Sequence, residues 1–355
     1  MENYALLGQV LLTFQADFQQ GREDLSAILL SENYLWLGSD ETATIERLTP
    51  IGQEQFANHQ SFHVSDFIEL PHPTDQEVDI EGLDCAEHYL WLVGSHSSKR
   101  KRPKPELSDQ ENSARLQTIE VEGNRHLLAR IPVVNGELMR SCIDPNDPQK
   151  MLTAARLEMK KTGDILTQML QGDPHLGFFV DSRIPGKDNG FDIEGIAVSK
   201  NRIFLGLRGP VLRGWAIILE LEVKSKNTPY LELRKIGNQK ERYKKHFVNL
   251  QGLGIRDLVI NGDDLLILAG PTMDLDGPVK VFRLNQYAEL ADHSFSEPSV
   301  VFDIAYGERD DHAEGMTLFT AINQQPSLLV VYDSPAQSRL KETHSILADV
   351  FSLSQ

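Results

Sequence analysis

Carboxylates set one residue before a glycine recur along this chain of 355 residues. They stand in a short repeated segment with five copies: Asp24-Leu25-Ser26-Ala27-Ile28, Asp79-Ile80-Glu81-Gly82-Leu83, Asp192-Ile193-Glu194-Gly195-Ile196, Asn249-Leu250-Gln251-Gly252-Leu253 and His312-Ala313-Glu314-Gly315-Met316. The order is polar, apolar, acid or amide (once Ser), glycine or alanine, apolar. Crowded carboxylates repel one another and stay ionised only beside a counter-charge. A hard divalent cation with oxygen ligands, Ca2+ above all, supplies one. Glu81, Glu194 and Glu314 are therefore the expected metal ligands. The wider expected ligand-binding set is Asp79, Glu81, Asp192, Glu194, Gln251, His312, Glu314 and Arg208. A structural use competes with this one: repeated acids can hold neighbouring units together through backbone amides, and the glycine permits close backbone approach.

Two further side chains could do chemistry beside the acids. Arg208 lies in Gly206-Leu207-Arg208-Gly209-Pro210, where flanking glycines suit a tight loop. It could clamp a phosphate or carboxylate, or pair with a neighbouring acid. His96, in Gly94-Ser95-His96-Ser97, could act as a general base or cap a turn. Arg208 and His96 are the candidate catalytic residues. Other motifs fail: His312-Ala313-Glu314 has no P-C-x-x-C to complete a zinc deaminase site, and Asp274-Leu275-Asp276-Gly277 lacks the terminal glutamate of a calcium loop.

The elements that must position these residues also repeat. Each copy precedes a strand-like run: Tyr34-Leu35-Trp36-Leu37-Gly38, Tyr89-Leu90-Trp91-Leu92-Val93-Gly94, Ile203-Phe204-Leu205-Gly206, Leu265-Leu266-Ile267-Leu268-Ala269-Gly270 and Leu328-Leu329-Val330-Val331. These runs are apolar on both faces, as in strands covered from both sides. Repeats of this kind, about 55 to 65 residues apart, predict an all-β propeller of about five four-stranded blades. The whole of 1–355 is expected to be one domain, with Gln9–Phe14 supplying the outer strand of the last blade and closing the ring. One gap, between Glu81 and Glu194, is twice the usual length. Asp147-Pro148 reads as a helix start, followed by apolar Met151, Leu152, Ala155 and Met159, so 145–172 is expected to be a helical insertion in the second blade; a sixth blade is the alternative.

In an up-and-down blade the start of the first strand and the end of the second lie together. Asp40, His96, Arg208, Asp274, Asp276 and Asp333 should then join the repeated acids around one mouth of the channel.

Net charge −17 disfavours nucleic acid and anionic membranes as partners. Lys99-Arg100-Lys101-Arg102-Pro103-Lys104 is the one basic run, and 99–113 is expected to be a solvated polar loop. Two cysteines, Cys85 and Cys142, form no metal or redox motif, and the first residues lack the pattern of a signal peptide. A cytoplasmic location is the expectation.

The run Asp192–Ile196 leading into Gly206–Trp215, together with Gly94-Ser95-His96-Ser97, resembles the bacterial domain-of-unknown-function family 3616 over nearly the whole chain. The Glu-Gly repeat is more loosely similar to phytase-like and esterase-like β-propellers. The first resemblance implies a propeller without an activity. The second implies calcium and phosphoester chemistry, with Glu81, Glu194 and Glu314 as acids at the channel mouth. Ser26 and Gln251 depart from the acid, and no basic cluster of the kind a phytate pocket needs is present.

The functional expectation is a site for a divalent cation or small polar ligand at the acidic mouth. One alternative is a metal-dependent hydrolase of phosphoesters, esters or lactones, in which Ca2+ activates water, Arg208 stabilises negative charge and His96 or Glu194 moves protons. The other is a platform for a protein partner that docks on the basic loop or the insertion.

Overall fold

The computed structural model describes residues 6–18, 21–72, 76–160, 163–224, 228–307, 309–320 and 324–353. Strand β1 (Leu6–Thr13) is followed by five antiparallel groups. The first is β2 (Leu25–Ser31), β3 (Tyr34–Ser39), β4 (Thr44–Pro50) and β5 (Gln55–His63). The second is β6 (Ile80–Ala86), β7 (Tyr89–Gly94) and β8 (Leu128–Val134), with Ala155–Arg156 and Glu137–Leu138 on the outer side of β8. The third is β9 (Asp192–Ser199), β10 (Arg202–Gly209), β11 (Trp215–Lys224) and β12 (Lys244–Asn249). The fourth is β13 (Gly254–Asn261), β14 (Asp264–Gly270), β15 (Val279–Leu284) and β16 (Ser299–Ile304). The fifth is β17 (His312–Phe319), β18 (Ser327–Asp333) and β19 (Ser345–Ser352), and β1 completes it by pairing antiparallel with β19, Leu12 opposite Ile346. The first strands of the groups pack on one another in a cycle: β2 on β6, β6 on β9, β9 on β13, β13 on β17, and β17 on β2. The chain is all-β and propeller-like.

The second strands explain why their sequences are apolar throughout. On β3, Leu35 and Leu37 pack into the core shared with the fifth group, whereas Trp36 packs into the core shared with the second. On β7, Leu90 and Leu92 face the first group and Trp91 faces the third. Successive side chains of a strand point to opposite faces, and here both faces meet another sheet. Each such side chain contributes about 1.5–3 kcal/mol by leaving water.

The glycine of the repeat answers to that packing. A Cβ on Gly195 would lie 3.0 Å from the Asp257 Cα of the fourth group, and one on Gly82 would meet the Ile196 side chain at 2.8 Å. Where the fourth group has Asp257 in place of this glycine, its carboxylate accepts the Met316 and Leu258 amides at 2.8 and 2.7 Å. Asp84 does the same between the second and third groups, accepting from Val198 N at 2.5 Å and Cys85 N at 2.7 Å. Thr317 does so between the fifth and first groups, its hydroxyl accepting the Leu30 amide at 2.9 Å. Side-chain bonding to the backbone amides of a neighbouring group is thus made by Asp84, Asp257 and Thr317.

The long gap differs from expectation. Asp147–Thr153 is a strand paired with Ser141–Asp144, not a helix. Asp144 Oδ1 accepts the Asn146 amide at 2.9 Å, so Asp144-Pro145-Asn146-Asp147 makes a hairpin turn, a use to which Asp and Pro are as well suited as to a helix start. Leu152 is buried while Met151 is exposed, the alternation of a strand. Helix does appear farther on, over Ile165–Leu170, where Asp164 accepts the Thr167 amide as N-cap. The 99–113 segment is also more ordered than a solvated loop: Lys99–Arg100 pairs with Ile119–Glu120, and a helix over Asp109–Gln117 starts from a Ser108–Glu111 capping box. Among the described residues no helix is long and apolar enough to cross a membrane.

Candidate functional site

Every first strand carries a bulge. Pairing with the second strand skips one residue: Ser26 in β2, Glu81 in β6, Glu194 in β9, Arg256 in β13 and Glu314 in β17. A bulge re-aims the extra side chain, and these five are all buried. The repeated acid is therefore the bulged residue, and its counterpart in the fourth group is Arg256.

This corrects the placing of Gln251. It lies in the exposed turn ahead of β13, at φ 61°, where its amide donates to Asn249 Oδ1 at 3.1 Å. The pairing register, not the spacing, singles out Arg256. It precedes Leu265 by nine residues, as Ser26, Glu81 and Glu194 precede Leu35, Leu90 and Ile203, but Glu314 precedes Leu328 by fourteen, the same interval as from Gln251 to Leu265.

A cavity of about 400 Å3 opens where the bulges converge. It brings together the predicted Asp79, Glu81, Asp192, Glu194, Arg208 and Glu314, with Asp24, Asp40, Asp274 and Asp333. His312 is at its edge, in a smaller adjoining hollow with Arg208, Arg256 and Glu314, 3.6 Å from Asp276. His96 is not part of it. That residue, at φ 55°, lines a different cavity, where its Nε2 lies 3.0 Å from Asp164 Oδ2. The two candidate catalytic side chains thus serve different cavities.

Three arginines neutralise part of the acidic mouth. Arg208 Nη1 donates to Glu194 Oε1 at 2.6 Å, and its Nε donates to the Thr272 carbonyl at 3.0 Å. Arg256 Nη1 bridges Glu314 Oε1 at 2.5 Å and Glu194 Oε2 at 3.2 Å. Arg125 Nη2 pairs with Asp79 Oδ2 at 2.5 Å while its Nη1 reaches Glu77 at 3.0 Å. Arg125 and Arg256 were missed in the sequence, the first for lying outside any repeat. Of the three acids expected to ligate a metal, Glu194 and Glu314 are thus committed to arginines.

Glu81 is not so committed. Among the described residues it has no hydrogen-bond or ion-pair partner, and Asp192 Oδ1 and Asp40 Oδ1 are buried without one. Burial, then the charges of Asp79, Glu194 and Asp192, push the Glu81 carboxyl well above the usual carboxylate range. Burial and then Glu194 push Asp192 up to about 7. Asp40 is raised well above its ordinary value by burial and then Asp79, and Asp24 to about 6 by burial and then Glu41. Each of these shifts favours the neutral carboxyl, and a cation arriving among them would favour the ionised form instead.

The basic segment closes over this mouth. Lys99, Arg100, Lys101 and Arg102 line the cavity, as does Lys187. Arg102 reaches Asp274 at 3.2 Å and Arg100 reaches Asp188 at 2.8 Å. Its charge is complementary to the acids beneath it.

The sequence model of a family described as "Protein of unknown function (DUF3616)" matches residues 24–349. No curated protein matches the chain. Among solved structures, glutaminyl cyclase from Myxococcus xanthus is 8% identical with a TM-score of 0.42, over 98% of each chain. The PQQ-bound form of an aldose sugar dehydrogenase from Streptomyces coelicolor is 11% identical with a TM-score of 0.36, over 97% of this chain and 98% of that one. A functionally unknown protein from Desulfotomaculum acetoxidans is 11% identical with a TM-score of 0.36, over 98% of this chain and 92% of that one. With TM-scores below 0.5, these likenesses carry no argument about activity.

Proposed function

The chain belongs to the DUF3616 family, and from the geometry of its acidic mouth we propose that it binds a small ligand bearing positive charge there, a hard divalent cation such as Ca2+ being the simplest. The observation that carries this reading is the pair Glu81 and Asp192: buried carboxyls facing the cavity, Glu81 with no described partner and Asp192 with an orphaned oxygen. The lining as a whole is anionic, twelve carboxylates against seven lysines and arginines. Glu81 and Asp192 are the first ligands on this reading, with Asp40 and Asp79 beside them. A volume of about 400 Å3 exceeds that of a bare ion and leaves room for water or a small polar molecule.

The hydrolase alternative is less favoured. It asks Arg208 to receive a developing anion, yet both the Nη1 and the Nε of that guanidinium already have acceptors. Of its two candidates for moving protons, His96 would have to reach the same substrate from another cavity, and Glu194 is engaged by Arg208 and Arg256. We further read the five groups as blades of a five-bladed propeller. Between β8 and β9 the described residues pair only as short strands beside β8, as two-stranded pairs and as isolated bridges, which favours five blades over six.

The test is the melting temperature of metal-stripped protein with millimolar Ca2+, with Mg2+ alongside. A ligand at a hundredfold excess over its Kd stabilises the fold by about 2.7 kcal/mol. With about 2.1 cal/mol/K of unfolding entropy per residue, that is a rise of about 4 °C for a chain of this length. Glu81→Gln and Asp192→Asn should abolish the rise while leaving the protein folded. An equal response in wild type and both variants would place the cation elsewhere, and no response to either ion would overturn the reading for divalent cations.

A further inference from the structure

A second cavity, of about 470 Å3, lies beside the acidic mouth and shares Ser97 and Ser98 with it. His96, His126, Gly163 and Thr167 form part of its wall. One ring nitrogen of each histidine and one carboxylate oxygen of Asp164 lie within 4.8 Å of one another.

Outer hydrogen bonds orient all three groups. His96 Nδ1 lies 2.8 Å from the Gly94 carbonyl, which can only accept, so the proton is on Nδ1 and the Nε2 side faces Asp164 Oδ2 at 3.0 Å. Asp164 Oδ1 is occupied by the Thr167 amide at 2.9 Å and the Thr167 hydroxyl at 3.0 Å, which leaves Oδ2 toward His96. His126 Nδ1 sits 3.1 Å from the same Thr167 hydroxyl. Because that hydroxyl gives its proton to Asp164, His126 is the donor to it. Histidines whose second nitrogen is held by a carbonyl or hydroxyl, and a carboxylate with one oxygen tied down, are the usual outer arrangement around a protein-bound metal.

The backbone leaves space at this point. Gly163 has φ 114°, and a Cβ there would come within 2.8 Å of Thr167 Oγ1 and 3.0 Å of His126 Nδ1. Asp164 and the His96 side chain are fully buried, whereas His126 is half-buried at the cavity wall. Two imidazoles and one carboxylate suit a divalent transition ion far better than calcium. Bond lengths of about 2.0–2.1 Å in tetrahedral geometry put neighbouring ligand atoms roughly 3.3 Å apart. The His96–Asp164 separation nearly meets this, so closure asks mainly for an inward turn of His126.

We propose that His96, His126 and Asp164 form a binding site for a divalent transition metal of the zinc class, with one coordination position open to the cavity. Thr167 is its positioning residue. The site is separate from the calcium-type site at the mouth, and neither depends on the other.

The experiment is calorimetric titration of Zn2+ into the metal-stripped full chain, with Co2+ as a spectroscopic probe of ligand number and geometry. The wild type should take up one Zn2+ per chain, and Co2+ should give the absorption of a four-coordinate site. His126→Ala, at the half-buried position, should lose stoichiometric uptake while its melting temperature without metal stays near that of the wild type. Thr167→Val should weaken Zn2+ binding about tenfold or more. Glu81→Gln should leave it unchanged, which separates this site from the mouth. Wild-type protein that takes up no stoichiometric Zn2+, or His126→Ala that binds it as tightly as wild type, would overturn the proposal.

Discussion

Among the described residues Arg256 is the one cation that touches both Glu194 and Glu314, and replacing it by methionine removes that contact. Methionine keeps much of the stem and leaves the bulge intact. Glu194 retains Arg208, but Glu314, 8% exposed, is left with no cation in contact among the described residues. Breaking a buried pair by deleting one partner costs about 3–5 kcal/mol. For 355 residues, with about 2.1 cal/mol/K of unfolding entropy each, the melting temperature should fall by about 4–7 °C at pH 8. Thermal melts of the variant beside wild type measure the loss. Gln251→Ala is the paired control. An exposed turn residue should change stability by no more than about 0.5 kcal/mol. If Gln251→Ala were as damaging as Arg256→Met, or if Arg256→Met melted at the wild-type temperature, the assignment of Arg256 as the fourth member of the ring would be wrong.

Two other outcomes follow from the buried acids. Asp84 and Asp192 are each pushed up to about 7, and Asp24 to about 6, mainly by burial. Their stabilising share is full below about pH 4 and lost as pH rises through 6 to 7, so wild-type protein should melt higher at pH 5.5 than at pH 8 in a metal-free thermal scan. A flat profile would mean that water or counter-ions keep these groups ionised. Asp84→Ala should orphan the buried Val198 amide and cost about 1–3 kcal/mol in a denaturant titration, with the calcium response at the mouth retained; loss of that response with stability unchanged would contradict a purely structural Asp84.

What could be read from the residues was the part written in local patterns. The apolar runs at Leu35–Leu37 and Leu90–Val93 marked strands covered on both faces, because no other half-buried strand lacks a polar side. Asp79, Glu81, Asp192, Glu194 and Glu314 were found at one cavity because the repeat fixed their position on each first strand. Arg256 was missed because its charge is opposite to that of its counterparts, and an alignment by residue type slid to Gln251-Gly252 instead. Arg125 and Asp164 come from segments with no internal counterpart, and their partners, Asp79 and His96, lie 46 and 68 residues away in sequence. The Asp147-Pro148 pair misled because aspartate and proline serve hairpin turns and helix starts alike. His96 was assigned to the mouth from strand order alone, but its positive φ and the Gly94 carbonyl turn the ring to the other side.

The pairing of β1 with β19 also sets an order of assembly. During synthesis Leu12 emerges more than 330 residues before its partner Ile346. Until then β1 is a strand without its antiparallel mate, and the fifth group lacks its outer edge. Each internal group can form from neighbours in sequence, but the seam is the most distant contact in the fold and so the slowest to find. The closing strand is therefore a checkpoint: a ribosome that stalls before residue 345 leaves a chain whose earlier groups have local partners and whose circle is still open.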